Sequence, residues 1–362
     1  MTAASGPRRG TARLLVVGDE GRIVHGVAPD LPRLVRAGDV VVANDAATLP
    51  ASLAGRHVAT GAPIEVRLAG RRSIALDDVR VFSAVVFGAG DFRTRTEDRA
   101  PPPPLRPGDE LALGPLTATI VGPLGHPRLV ELSFAGSADA IRAGLARHGR
   151  PVQYAHVAEP LALWDVWTRI AAQPVAFEPP SAGFVLDWRL LDHLKRRGIG
   201  FATLTHAAGL SSTGDAALDA RLPLAEPYLL PATTVDAIRS TQARGDRIVA
   251  LGTTVVRALE HAAARPGGIT AGAGLATNRL GRETRLAVVD ALVSGTHEPG
   301  SSHHELLRAF VGGAALDRVD GALESGGYRT HEFGDSVLIE RSNLKTATLA
   351  SRLGNERTAL PA

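Results

Sequence analysis

The sequence predicts an α/β main domain built from parallel βα units and interrupted by an inserted all-β module of small-barrel type. Three observations point there. From about residue 187 onward, amphipathic helical stretches alternate with short apolar strands, a rhythm that parallel βα units produce. Between about 56 and 149 the texture changes to short alternating stretches separated by Gly and Pro, as in a small barrel. The 362 residues are 44% apolar, enough for roughly two cores. The expected division is therefore 1–55 with 150–362 as one discontinuous domain, and 56–149 as the insert.

Taken in chain order, RLLVVGDEGRIVHG (13–26) reads as two strands about a Gly-containing turn, and GDVVVAND (38–45) as a buried strand ending in a polar loop. APIEVRLAG, RVFSAVVFG and LTATIVG are the alternating strands of the insert, with APPPPLRPGDE among them. DWRLLDHLKRRG (187–198) is a helix with Asp187 as its N-cap, leucines 190, 191 and 194 on one face, an Asp192–Arg196 pair at i,i+4 and Gly198 as its stop. IGFATLT (199–205) follows as a strand, then a Gly/Ser loop, a helix around 234–244 ending at Gly245, and a buried strand RIVAL (247–251). The tail after about 342 is polar and expected to be loosely held.

Composition narrows the function. There is no cysteine, so disulfides and thiolate metal sites are excluded and no oxidising compartment is implied. No stretch reaches 18 uninterrupted apolar residues and no secretory leader is legible, which points to a cytoplasmic protein without a membrane partner. A net charge of +3 and a pI near 9.7 permit contact with RNA. The basic residues are nearly all arginine, only Lys195 and Lys345 being lysine, and they are scattered among acids rather than massed.

Ligands in such sheets bind beyond the carboxyl ends of the strands, so the loops after 205, 251 and 293 are the places to look. In LGTTVVRALE, Gly252 allows a tight turn while Thr253 and Thr254 place hydroxyls and amides at the positive end of a helix, which suits a carboxylate, phosphate or ribose. The alternative is that the threonines only cap the helix. Arg257, with Glu260 at i+3, has an exposed ion pair as its plain explanation. THAAGLSSTG (205–214) offers His206 among small residues, and EPPSAGF (178–184) is a Pro-stiffened loop ahead of a helix. In THEPGSSHHELLRAF (296–310), Ser302 and Glu305 have the spacing of a capping box, with His303 and His304 in the first turn. His297, held in a loop by Pro299 and Gly300, is the better candidate for a general acid or base. No metal is expected, because His297 and His303 lie six apart rather than at the helical i,i+4 spacing. GYRTHEFGDSVLIE (327–340) adds His331, Glu332 and Asp335, which together with His297 make a possible acid/base cluster near the Gly-Thr-Thr turn.

Eight segments in order carry a resemblance: RLLVV, the His25 region, GDVVVANDAATLPASLAG, PPSAGF, ATLTHAAG, RGDRIVALGTTVVRALE, VDALVSGTHEPGSSHHELLRAFVG and YRTHEFGDSVLI. Over most of its length the chain resembles the S-adenosylmethionine:tRNA ribosyltransferase-isomerases of queuosine biosynthesis. The resemblance implies an α/β domain with an inserted β-barrel. It also implies S-adenosylmethionine as co-substrate, whose ribosyl part is transferred to, and rearranged on, a 7-aminomethyl-7-deazaguanine base in tRNA, with adenine and methionine released. A base is needed beside the sulfonium, an acid to help adenine leave, and an anchor for the methionine carboxylate. The implied roles fall on His297 as base or proton shuttle, with Asp335 and Glu332 as acid or purine contact and His331 and His206 as further members. Gly252, Thr253, Thr254 and Arg257 form the anchor, with Ser181, Ala182, Gly183 and Asn44 on the co-substrate side. The chain also departs from the family pattern. Two family arginines are absent between Asn44 and Ser52, one family histidine between Pro180 and Leu186, and another near 222–225; His206 stands one place later than its family counterpart. Such changes read as a rebuilt acceptor pocket. They leave three alternatives open, namely a small-molecule acceptor, cleavage of the co-substrate without an acceptor, and a non-catalytic nucleotide-binding protein.

Overall fold

The computed structural model describes residues 1–7, 11–18 and 22–341; the expected loose tail lies outside them. A nine-stranded sheet organises the main domain. Val40–Asn44 is an interior strand, with Gly200–His206 and Ile248–Leu251 parallel to it on either side and Ala291–Gly295 parallel beyond the latter. All five residues of Val40–Asn44 are buried, as expected of a parallel strand covered on both faces. On the far side of Ala291–Gly295 run Ser336–Glu340, antiparallel to it, then Arg13–Val17 and Ile23–Val27, the last two forming the expected hairpin. Glu226–Leu230 and Gly272–Ala276 complete the other edge.

Helices cover both faces. Val235 and Ile238 of Ala232–Ala243, Val255, Val256 and Leu259 of Thr253–Ala263, and Leu316, Val319 and Leu323 of Gly313–Ser325 pack on one side. Leu190 and Leu194 of Trp188–Arg196 pack with Leu31 and Leu34 on the other. This helix is built as its sequence dictates: the Asp187 carboxylate accepts from the Leu190 amide, Asp192 pairs with Arg196, and Gly198 follows with φ of 69°.

The second core belongs to a closed antiparallel barrel of Ser52–His57, Pro63–Gly70, Val81–Phe87, Glu110–Leu113, Leu116–His126 and Leu129–Phe134. The helix Ala138–His148, capped by the Ser137 hydroxyl, lays Ile141 and Leu145 into this core. Its Gly144 sits so close to Leu116 that a Cβ there would come within 2.3 Å of a leucine methyl.

The topology decides where chemistry can sit. Four parallel strands end at residues 44, 206, 251 and 295, on one edge of the sheet. Because Ser336 pairs with Gly295 in the antiparallel sense, the residues just before 336 reach that same edge.

Candidate active site

Gly252 turns the chain with φ of 105°, its amide donating to Val293 O at 2.8 Å, and opens the helix Thr253–Ala263. No side chain caps this helix, so the threonines are not spent as caps. The Thr253 hydroxyl meets His303 Nδ1 at 2.8 Å, and the Thr254 hydroxyl accepts from Asn44 Nδ2 at 3.3 Å. The amides of Val255 and Val256 bond to Gly252 O, while Thr253 and Thr254, at the positive end of the helix, line the cavity.

Beneath lies a buried network. Asn44 Oδ1 accepts from the amides of Ala46 and His206, and its Nδ2 donates to His206 O. His206 is fully buried, its Nδ1 2.7 Å from Thr254 O and its Nε2 2.9 Å from Glu226. Burial alone would raise the Glu226 pKa. The His206 ring, the Arg257 guanidinium and the Gly209 amide outweigh it and hold the carboxyl down at about 2. The expected exposed Arg257–Glu260 pair does not form. Arg257 is 5% exposed and binds Glu226 together with the carbonyls of Leu224, Ala276 and Asn278. Glu260 instead accepts from the amides of residues 287–289. The network fastens the 206–209 loop to the start of the Thr253 helix.

One wall of the cavity is histidine. His297 and His303 stack with ring centroids 4.7 Å apart and 19° between planes. His297 Nε2 lies 3.0 Å from the Ser294 hydroxyl. Burial and the neighbouring imidazoles of His303 and His331 push the His297 pKa well below its ordinary value; burial also lowers that of His303, against the raising charge of Glu226. Both rings are therefore neutral at physiological pH and able to accept a proton. The cap of the helix Ser302–Leu307 is one residue earlier than expected. The Ser301 hydroxyl accepts from His304 N, and Glu305 pairs with Arg308 rather than completing a capping box. That register turns His303 into the cavity, while His304 points away to Asp320 at 3.0 Å.

A second part of the lining is acidic and aromatic. The Tyr154 hydroxyl donates to Glu178, and the Tyr154, His156 and His331 rings form a ladder, 6.1 and 4.3 Å between centroids. Burial, reinforced by the charge of Glu332, lifts the Glu178 pKa to about 7 against the lowering effect of its hydrogen bonds from Tyr154 and Ser211. Glu332 goes the other way. Burial is outweighed by the hydrogen bond and charge of His156, 3.4 Å away, and its pKa is lowered. His331 holds a left-handed backbone, φ 68°, alone among non-glycine residues described. His156, His331 and Glu332 each bring one ligand atom within 4.8 Å of the others. The two imidazoles are stacked, and their nitrogens are turned to carboxylates, His156 Nε2 at 3.4 Å from Glu332 and His331 Nε2 at 3.3 Å from Glu298.

The cavity so lined is about 370 Å³. Of the residues expected from sequence, His297, His331, Glu332, Gly252, Thr253, Thr254, Arg257, Ser181 and Ala182 line it. His206 and Asn44 lie beneath the lining, and Gly183 packs on Thr168. Asp335 corrects the expected acid/base cluster. It is 1% exposed and does not line the cavity; its carboxylate takes the Arg13 amide at 2.8 Å, the Arg13 guanidinium at 3.0 Å and the Arg329 amide at 2.9 Å. Residues that the sequence reading passed over are Glu178, Tyr154, His156 and Glu226. Glu178 had a signal, a carboxylate opening the EPPSAGF loop; the other three had none, since only folding brings Tyr154 and Glu226 to the cavity and sets His156 behind it, against His331 and Glu332.

A family model described as queuosine biosynthesis protein matches residues 2–339. The chain belongs to this family. Among curated members of the queuosine biosynthesis family, the S-adenosylmethionine:tRNA ribosyltransferase-isomerase of Pelobacter propionicus is 32% identical over 92% of this chain and 94% of its own. That of Synechococcus elongatus is 30% identical over 91% and 90%. A solved structure described as S-adenosylmethionine tRNA ribosyltransferase from Thermotoga maritima is similar at 24% identity, covering 93% of this chain and 95% of its own with a TM-score of 0.49. Among the described residues no helix is long and apolar enough to cross a membrane.

Proposed function

We propose that this protein is an S-adenosylmethionine-consuming transferase-isomerase. It moves the ribosyl part of the co-substrate onto a 7-aminomethyl-7-deazaguanine base in tRNA, releasing adenine and methionine, in the cytoplasm where both substrates are found. The near full-length family match, with relatives bearing this activity in their names, carries the reading. The cavity has the chemical parts the reaction needs. The positive end of the Thr253 helix suits the methionine carboxylate. His297, kept neutral by burial and by neighbouring imidazoles, is suited to take a proton from the ribose carbon beside the sulfonium, with Ser294 fixing its ring. Glu178, in place of Asp335, is suited to donate a proton to the departing adenine, because a carboxyl with a pKa of about 7 remains partly protonated at working pH. Glu332 and the ring ladder of His156 and His331 then border the acceptor. We also take the barrel and its helix, from Ser52 to His148, as a unit inserted in the catalytic domain, which moves the expected boundary at 56 to the start of the first barrel strand.

The test is incubation with S-adenosylmethionine, with and without tRNA carrying the deazaguanine base, followed by mass spectrometry. Adenine and methionine should appear in step with a mass gain on the tRNA. Equal adenine release without tRNA, or none in either case, would refute the tRNA reaction.

A further inference from the structure

Two residues of the cavity lining, His331 and Glu332, meet His156 from a distant part of the chain, and the three ligand atoms they offer lie within 4.8 Å of one another. His156 Nε2 is buried and has no hydrogen-bond partner among the described residues. A buried ring nitrogen left in this way calls for an occupant. Glu332 and the nearby Glu298 each face an imidazole, and among the described residues neither pairs with an arginine or lysine. Two carboxylates and two imidazoles therefore stand together with no fixed cation beside them.

The backbone is wound to produce this grouping. Successive side chains of an extended segment point to opposite sides, which would separate His331 from Glu332. The left-handed conformation of His331, φ 68°, breaks that alternation and lets both side chains reach His156. The turn closes tightly at Gly334, where a Cβ would come within 2.4 Å of Arg329 O. A non-glycine residue in this region costs free energy that the surroundings must offset.

We infer that His156, His331 and Glu332 form a binding site for a divalent first-row transition ion, with zinc as the type case. Two imidazole nitrogens and one carboxylate oxygen suit such an ion, whereas magnesium and calcium take oxygen ligands. With bonds of about 2.1 Å, tetrahedral ligand atoms stand roughly 3.4 Å apart, so each atom of the trio need move inward by only about 0.8 Å. Tilting the two rings further from their 24° stacking supplies that movement. Glu298, beside His331, stands where a carboxylate orients a ligating ring. Because His331 and Glu332 line the cavity and His156 stands behind them, the remaining coordination position faces the cavity. There the ion takes an oxygen or nitrogen donor of the cavity's occupant. Binding of the ion does not depend on the tRNA reaction.

The test is calorimetric titration of untagged, chelator-treated protein with zinc, paralleled by the visible absorption of added cobalt(II). The wild-type protein should bind one zinc per chain, undisturbed by excess magnesium, and should develop a cobalt band. His331→Asn, which keeps a residue that tolerates the left-handed backbone, and Glu332→Gln should each weaken zinc binding by at least about 100-fold, more than loss of an outer partner does, and abolish the band. His156→Gln supplies the third ligand's variant, and the metal-free thermal midpoint shows which variants are folded. His303→Asn should bind zinc as the wild type does, since the His297–His303 pair is a separate stack. No zinc bound by the wild-type protein would overturn the inference and leave an ion pair of His156 with Glu332. Binding kept by the folded variants of the trio, or lost with His303→Asn, would place the ion elsewhere and overturn it equally.

Discussion

Replacing Glu178 with Gln separates what this carboxyl does for the reaction from what it costs the fold. Its pKa is raised from 4.5 to about 7, chiefly by burial. At roughly 1.4 kcal/mol per pKa unit, ionising it in place costs the folded state about 3 kcal/mol. The side chain is only half-buried at the cavity wall, so water there screens part of this and about 1–3 kcal/mol is expected. The sign follows from a raised folded pKa. The neutral carboxyl's contribution is fully present below pH 4.5 and is lost as pH rises through about 7. Gln keeps the shape and still accepts from Tyr154 but never ionises. Urea titrations should therefore show the variant near wild-type stability at pH 5 and more stable by about 1–3 kcal/mol at pH 8. Adenine release should meanwhile fall by about 100-fold, and the wild-type rate should decline above pH 7 as the acid ionises. A stability gap of the same size at pH 5 and pH 8 would refute the burial argument; an unimpaired rate would refute the acid role.

Two further substitutions divide chemistry from architecture. His297→Ala should lower adenine release by about 100- to 10,000-fold while leaving S-adenosylmethionine binding, measured by calorimetry, within a few-fold of wild type. Asp335→Asn should do the reverse. It weakens a buried carboxylate's bonds to Arg13 and Arg329, costing about 1–3 kcal/mol in the urea transition, with kcat unchanged in the folded protein.

The contrast between these two residues shows how far a sequence can be read. The α/β rhythm, the barrel texture, the Asp187 cap and the Gly252 turn are written in local patterns, because periodicity, caps and positive-φ glycines are decided within a few residues. That His297 lines the cavity was legible for the same reason: it follows a strand end, on the edge where parallel sheets bind ligands. Asp335 looked equally chemical, and only the pairing of Ser336–Glu340 with Arg13–Val17, more than 300 residues away in sequence, commits its carboxylate to Arg13. Arg257 likewise chose Glu226 over its helical neighbour Glu260, since a guanidinium buried at the sheet edge must satisfy its donors with whatever acceptors the fold brings there. A one-residue shift of cap, from Ser302 to Ser301, is what turned His303 inward and His304 out. The pKa values that distinguish Glu178, Glu226 and Glu332 arise from burial and from partners contributed by distant segments. Sequence alone determined which elements form and at which edge of the sheet polar loops gather; the tertiary structure decided which polar side chains on that edge line the cavity and which are spent on partners within the fold.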